Sequence, residues 1–358
     1  MSNEVELKLE VSRTFADSFA QNMTDFHILS TQTVILGNCY YDTPDQFFAQ
    51  RKMGLRVRSE NERFTMTLKT DGQVTGGLHI RPEYNFVLSS AEPDLTLLKD
   101  LSFDLPGHLP LEPIFSTDFT RQFWLIECGH ETEIEVALDR GEIKTTEKTQ
   151  PICEIEFELK QGSLSDLLTF VANLPVIDGV RLSSASKAKR GYRLAFNTLS
   201  VPMDCLTKWR EFLQFEQTVQ NPKEILTALL DYEQQLVEDT VFFSPAYFAQ
   251  DFMRSVERIG SFFNLLNYYT ENKKLLNAVA KMVEADEQIL VELNESNEAL
   301  FQNIHDIIRL HSETRDNALA MGKLDELLHQ GQNVKRMINL IRLTVDEYGK
   351  SPQNGLRM

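Results

Sequence analysis

Glu4-Val5-Glu6-Leu7-Lys8 alternates charged and aliphatic residues one for one. Extended backbone sends successive side chains to opposite faces, so Glu4, Glu6 and Lys8 share one face at about 6.7 Å per step, and Val5, Leu7 and Leu9 share the other. The same arithmetic sets Arg56 and Arg58 against Leu55 and Val57, and Thr65, Thr67 and Lys69 against Phe64, Met66 and Leu68. Arg81, Glu83 and Asn85 share a face in the next run. Further on, Glu133, Glu135, Ala137 and Asp139 oppose Ile134, Val136 and Leu138, and Glu154, Glu156 and Glu158 oppose Ile155, Phe157 and Leu159. For any one strand this describes an open sheet or sandwich with one face in water. Across strands the signs segregate, the early runs mostly cationic and the late ones anionic, whereas a solvated face mixes them. A closed antiparallel barrel would gather both sets around one lumen, with the aliphatic set outward under helices and loops. Buried charges need partners, so a divalent cation on the acids and a polyanion on the bases would complete such a lumen. That combination serves metal-assisted phosphoryl chemistry.

Up to about Leu199 the period stays near two, interrupted by turn signals at Thr43-Pro44-Asp45, Asp71-Gly72 and Gly76-Gly77. Helical segments are expected around Arg13 to Phe19 and from Ser163 to Leu174, the latter opened by a Ser163-x-x-Asp166 cap. The stretch 89–113 reads as a covering loop with a short helix. Past Pro202 the period changes to about 3.6, and Asn221-Pro222 and Ser244-Pro245 start helices by cap and proline. The spacing predicts helices over 222–240, 246–270, 273–295, 298–321 and 323–348, an antiparallel bundle. The fold class is therefore α+β in two domains, a β barrel with flanking helices over 1–200 and an all-α domain over 205–358, with the boundary near 199–207.

The chain's 358 residues suffice for two domains. A formal charge of −17 argues against nucleic acid or an anionic membrane as partner, since either needs an electropositive face. No apolar run approaches the roughly 18 residues of a bilayer span, and the first ten residues lack an apolar signal core. Cys39, Cys128, Cys153 and Cys205 form no C-x-x-C pair, as expected of reduced thiols in a cytoplasmic protein.

Glu4-x-Glu6-x-Lys8 resembles the E-x-E-x-K signature of the CYTH superfamily, the triphosphate tunnel metalloenzymes. The rest of that pattern follows in order: Tyr40-Tyr41-Asp42-Thr43-Pro44, Gly54-Leu55-Arg56-Val57-Arg58, Thr67-Leu68-Lys69, Arg81-Pro82-Glu83-Tyr84, Asp118-Phe119-x-Arg121, Ala137-Leu138-Asp139, Glu154-Ile155-Glu156 and Ser186-Lys187-x-x-Arg190-Gly191-Tyr192. The resemblance covers residues 1 to about 198. The segment Gly72 to His79 is similar to a subgroup that joins the tunnel to a C-terminal CHAD-type helical domain. The resemblance implies an eight-stranded tunnel in which Glu4, Glu6, Asp139, Glu154 and Glu156 hold one or two Mg²⁺ or Mn²⁺ ions. It implies that Lys8, Arg56, Arg58, Lys69, Arg81, Arg121, Lys187 and Arg190 grip a linear triphosphate, Arg190 having the alternative of anchoring the last strand. Glu4 and Glu6 are assigned the catalytic role at the second ion or its water, and Asp139, Glu154 and Glu156 the first ion. Glu83, Glu135 and Glu158 are read as partners of basic neighbours, and His79, after Gly76-Gly77, as a turn or surface residue.

The implied activity is metal-dependent hydrolysis of inorganic tripolyphosphate to pyrophosphate and phosphate. The alternatives are a thiamine or nucleotide triphosphatase or adenylate cyclase of the same superfamily, and a polyphosphate-binding protein without turnover. A CHAD-type domain implies polyphosphate contacts, yet residues 205–358 depart from that pattern. They hold 16 Lys and Arg against 23 Asp and Glu, a net of −7, and three histidines, His305, His311 and His329. His305, Arg309 and Arg315 could make at most a small anion site, with surface or core placement the plainer reading. Because every expected ligand precedes it, a cut near residue 204 is expected to leave activity intact.

Overall fold

The computed structural model describes residues 2–99, 101, 105–106, 109–129, 131–175, 178–196 and 201–345. The strands are β1 (Ser2–Val11), β2 (Ile28–Asp42), β3 (Gly54–Glu60), β4 (Arg63–Lys69), β5 (Gln73–Thr75), β6 (Leu78–Leu88), β7 (Glu112–Cys128), β8 (Thr132–Lys144), β9 (Thr149–Gln161) and β10 (Val180–Leu182). The first four helices are α1 (Arg13–Asn22), α2 (Phe47–Gln50), α3 (Leu164–Ala172) and α4 (Lys187–Phe196). The C-terminal half adds α5 (Cys205–Thr218), α6 (Pro222–Phe243), α7 (Pro245–Ala249), α8 (Phe252–Glu271), α9 (Lys273–Met282), α10 (Glu287–Thr314), α11 (Asn317–Leu328) and α12 (Gly331–Thr344).

Eight strands close on themselves in the order β1, β9, β8, β7, β2, β3, β4, β6 and back to β1, every pairing antiparallel. β5 and β10 add to the outside of this ring. The expected barrel is thus present, and its register brings opposite charges side by side: Glu4 faces Arg81, Lys8 faces Glu156, and Arg121 faces Asp139. The aliphatic parity points outward. Val5, Leu7, Leu9, Val136, Ile155 and Phe157 are buried in one cluster with Phe15 and Phe19 of α1 and Leu167, Leu168 and Val171 of α3. Each such side chain contributes about 1.5–3 kcal/mol by leaving water. α1 starts where Ser12 Oγ accepts the Phe15 N–H at 3.1 Å, and α3 where Ser163 Oγ accepts the Asp166 N–H, as the capping spacing predicts. The stretch 89–113 covers β3 and β4 with one 3-10 turn, Leu95–Leu98, whose leucines pack on Leu55, Val57, Met66 and Leu68. Residues 100, 102–104 and 107–108 of that stretch lie outside the described residues.

One end of the barrel interior is not charged. Val34 pairs directly with lumen-facing Arg121, and the same face carries Leu36, Tyr40, Phe115, Phe119, Ile143 and Ile152, all buried against Ala188, Tyr192 and Leu194 of α4. α4, which falls inside the region expected to be strands up to about Leu199, is a helix that plugs this end. Gly191 makes the plug possible, because a Cβ there would stand 2.0 Å from the Phe115 ring.

The helical half begins at Cys205, and the expected boundary of 199–207 falls partly on residues outside the described set, as do 346–358. Its helices divide differently from the expected ones. The 246–270 segment breaks after α7 because Asp251 caps a new helix by accepting the Arg254 N–H. The predicted 273–295 segment stops at Met282, Glu284 turning left-handed at φ 51°, and Asp286 caps the 28-residue α10, which runs through the expected gap at 295–298. Arg315, also left-handed, ends it. No helix among the described residues is long and apolar enough to cross a membrane. The two halves share one core: α12 packs on α3 and β10, and α6 reaches β5. The His329 carbonyl accepts the Gly179 N–H at 2.8 Å, and Asp178 accepts the Gly331 N–H at 3.1 Å.

Candidate active site

The barrel interior beyond the α4 plug is a cavity of about 990 Å³. Alternation on β1, β3, β4, β6, β7 and β9 sends Glu4, Glu6, Lys8, Arg56, Arg58, Lys69, Arg81, Arg121 and Glu156 to its wall, and α4 adds Lys187. Asp139, Glu154 and Arg190 stand behind that wall, buried to 0%, 1% and 9% exposure. The expected residues therefore converge, in two layers.

The deeper layer is an ion lattice. Asp139, Glu154 and Glu156 each offer an oxygen within 4.8 Å of the others, the spacing of a cation site. The Lys187 ammonium occupies their centre, at 2.6 Å from Asp139, 2.5 Å from Glu154 and 2.8 Å from Glu156. Arg121 grips Asp139 with two bonds of 2.7 Å and reaches Glu156, while Lys8 lies 2.9 Å from Glu156 and 3.3 Å from Glu154. Burial alone would push Glu156 up, but Lys187, Lys8 and Arg121 hold its carboxyl well below the usual range. Arg190 donates to Glu154 at 3.0 Å and to the Pro151 carbonyl at 2.5 Å, so it clamps α4 to β9.

The cavity-facing layer is unevenly paired. Glu4 is held low by Lys69 at 2.6 Å and Arg81 at 3.1 Å, against the upward push of burial. Glu83 joins Lys69, and Glu135 and Glu158 share Lys160, as partners of basic neighbours. Arg58 has no carboxylate within ion-pair distance among the described residues; Asn38 Oδ1 orients its Nε at 3.0 Å. Burial, then the charges of Arg56 and Arg121, push its guanidinium down to about 9. Glu6 is the opposite case. Its Oε1 has no hydrogen-bond partner among the described residues, its ion-pair neighbour Lys8 stands off at 3.6 Å, and burial and then Glu156 push its carboxyl up to about 7. An orphaned carboxylate oxygen in an oxygen-rich set is what a hard divalent cation requires.

His79 is not a surface residue. It pairs with Glu6 in register, is 3% exposed and lines the cavity with its Nε2 unpartnered among the described residues. Burial and then Arg81 hold its imidazole well below the usual pKa, hence neutral. Extending the alternation back from Arg81 by one step would have found it. Asp231, Gln234 and Gln235 of α6 also line the cavity, and no local signal in the sequence marks them. His305, Arg309 and Arg315 are not brought together: His305 packs on Phe263 and Phe301, Arg309 pairs with Asp306, and Arg315 lies over Phe252.

The CYTH domain profile matches residues 2–192. An inorganic triphosphatase of Haemophilus influenzae is 47% identical over 350 residues, covering 97% of this chain and 98% of its own length. Among solved structures, a Hippeastrum protein with a dominant triphosphatase activity is 17% identical, with a TM-score of 0.33 over 44% of this chain and 80% of its own. The mimivirus capping enzyme triphosphatase is 11% identical, with a TM-score of 0.30 over 45% of this chain and 81% of its own.

Proposed function

The chain belongs to the CYTH domain family, and on that premise we propose that it hydrolyses inorganic tripolyphosphate to pyrophosphate and phosphate, with Mg²⁺ or Mn²⁺ as cofactor. The observation that carries this reading is the uneven pairing of the cavity wall, where among the described residues Arg58 lacks an anion and Glu6 lacks a cation closer than 3.6 Å. A polyanion bound together with a divalent ion removes both deficits at once. The relative from Haemophilus influenzae, aligned almost end to end, supports the choice of inorganic triphosphate. So does the lining: Tyr40 is stacked on Phe115 at 4.4 Å and the Tyr192 hydroxyl is tied to Asp42 at 2.8 Å, so neither ring is free to sandwich a base.

In this reading Arg56, Arg58, Lys69, Arg81 and Arg121 hold phosphoryl oxygens, the guanidiniums by paired contacts and the ammonium as a point charge. Lys8 and Lys187 face the same oxygens from the acid lattice, and Arg190 fixes the helix that carries Lys187. Glu4, Glu6, Asp139, Glu154 and Glu156 are the residues that would hold metal. When bound, such an ion neutralises charge on the transferred phosphoryl group and acidifies a water. Glu6, at the cavity surface and short of positive charge, orients the attacking water in line with the terminal phosphorus. The proton of that water leaves with the phosphate product, and the pyrophosphate leaving group is stabilised by the cationic strands. The division into a tunnel domain over 1–200 and a CHAD-like domain over 205–358 belongs to this reading, as does a cytoplasmic location suited to four free thiols. Phosphate release from tripolyphosphate, ATP and thiamine triphosphate, each with and without Mg²⁺, tests it. Faster turnover of either organic substrate than of tripolyphosphate would overturn the assignment.

A further inference from the structure

Beside α4 the cavity wall is completed by α6 of the helical half, through Asp231, Gln234 and Gln235, of which Asp231 and Gln235 are partly or fully open to solvent. α6 is a fixed wall. Glu238 accepts the Ser184 N–H at 2.7 Å, an Arg181 nitrogen at 3.2 Å and Gln234 Nε2 at 3.1 Å, and Arg181 also joins Glu10 of β1. The lining beside α6 carries Lys189 and Arg193 of α4, the latter over the Phe242 ring of α6 at 4.6 Å, neither with a carboxylate within ion-pair distance among the described residues. Every other carboxylate lining the cavity, Glu4, Glu6, Asp71, Glu83, Glu135, Glu156 and Glu158, has a Lys or Arg nitrogen within 4.0 Å. Asp231 has no such partner among the described residues, although it is half-buried.

We propose that Asp231 is a length gate: an unpaired negative charge, set by the helical half at the tunnel mouth, that turns away polyphosphates extending beyond three phosphates. The tunnel's basic wall attracts any polyphosphate, and Lys189 and Arg193 would extend that basic track outward through the mouth. A fourth phosphate taking that route has to pass the Asp231 carboxylate, whose half-buried setting weakens screening by solvent and salt. A chain that ends inside the tunnel meets no such penalty. The specificity is thus set by repulsion of the longer competitor.

This inference rests on the proposed hydrolysis of tripolyphosphate, and two measurements on the full chain keep the two apart. The first is kcat/KM for tripolyphosphate, tetrapolyphosphate and a medium-chain polyphosphate with Mg²⁺, for the wild type, D231N and D231E. The second is calorimetric binding of the same three anions without metal, which needs no turnover. D231N is expected to raise the preference for the longer anions over tripolyphosphate by about fivefold to tenfold in both measurements. D231E, which keeps the charge, is expected to hold the wild-type ratio. A D231N ratio within twofold of wild type, with unfolding temperature unchanged, would overturn the gate whether or not tripolyphosphate is hydrolysed. Absence of wild-type hydrolysis would instead overturn the reading on which it rests.

Discussion

Glu238, on a helix of the C-terminal half, accepts the backbone N–H of Ser184 at 2.7 Å, three residues before the lysine that centres the acid lattice. The helical half therefore holds the turn from which Lys187 enters the tunnel. Glu238→Ala removes the shared partner of Ser184, Arg181 and Gln234 and leaves Arg181, 4% exposed, with the Leu182 carbonyl and Glu10 as its one carboxylate among the described residues. The expected cost is about 3 kcal/mol in urea unfolding, the usual scale for breaking a buried pair. Loss of kcat/KM for tripolyphosphate should accompany it even under conditions where the variant is folded.

A fragment ending near residue 204 meets the same interface. The sequence places every expected ligand before that point, which favours an active fragment, but α12 covers α3 and β10, and Ile341 lies against the turn at Gly76. Removing the helices bares this apolar surface, so the fragment is expected to aggregate or to lose most activity. Light scattering and phosphate release would measure both, and a monomeric, fully active fragment would show that the interface is dispensable.

Gly191→Ala tests the plug. Inside a helix the exchange should help by about 1 kcal/mol through propensity. Here the new Cβ would stand 2.0 Å from a Phe115 ring that is itself stacked on Tyr40, so neither ring has room to withdraw. Overpacking of this kind costs about 1–3 kcal/mol. A lower unfolding temperature is expected, together with weaker activity, since α4 carries Lys187 and Arg190.

What could be read in advance followed periodicity. Alternation in Glu4 to Lys8 and Glu154 to Glu158 is a property of neighbours in the chain, and it found the lumen face and most of the charged residues on the strands of the cavity wall, while Arg121 and Lys187 came from the family resemblance. His79 shares its parity with Arg81, but the Gly76-Gly77 turn just before it hides where the strand begins. The Lys187 to Phe196 helix escaped because it is short and its most buried residues are Lys187, Arg190 and Gly191, so the face it buries reads as polar in the sequence. The end of α10 escaped for another reason. A left-handed residue usually announces itself as glycine, and here it is Arg315, stabilised over Phe252. Asp231 could not be found at all, since its place at the mouth comes from docking between the two halves.

Arg58→Ala should move stability and binding in opposite directions. Arg58 is half-buried without an acid partner among the described residues and is pushed down to about 9 by desolvation and by Arg56 and Arg121. A group whose folded pKa is depressed below its unfolded value by like charges weakens the fold while it is charged, which here covers neutral pH. The ligand-free variant is therefore expected to unfold at the same or a higher temperature. Its KM for tripolyphosphate should rise at least tenfold, because a charged donor to phosphate typically contributes 1.4 kcal/mol or more. A lower unfolding temperature with unchanged KM would place Arg58 in the structural lattice and not in the grip.

Glu6→Gln separates charge from shape at the point where the cavity is short of a cation. In metal-free protein Glu6 is raised to about 7 by burial and Glu156, above the 4.5 of an unperturbed glutamate. The folded state thus binds this proton more tightly than the unfolded state. The contribution is fully present below pH 4.5 and is lost as pH rises through 7. In chelator, the wild type should therefore lose stability relative to Glu6→Gln as pH rises from about 5 to 8, measured as a widening gap in unfolding temperature. With Mg²⁺ the order reverses, because a divalent ion supplies the missing charge to glutamate and finds less to bind in glutamine. For turnover, the amide keeps the side chain in place but cannot orient a water as a carboxylate does, so kcat should fall by about 10² or more. Affinity for tripolyphosphate should be similar or tighter, one repulsive carboxylate having gone. Near-normal kcat at saturating Mg²⁺ would remove the N-terminal strand from the chemistry and leave it the narrower task of holding Lys69 and Arg81 through Glu4.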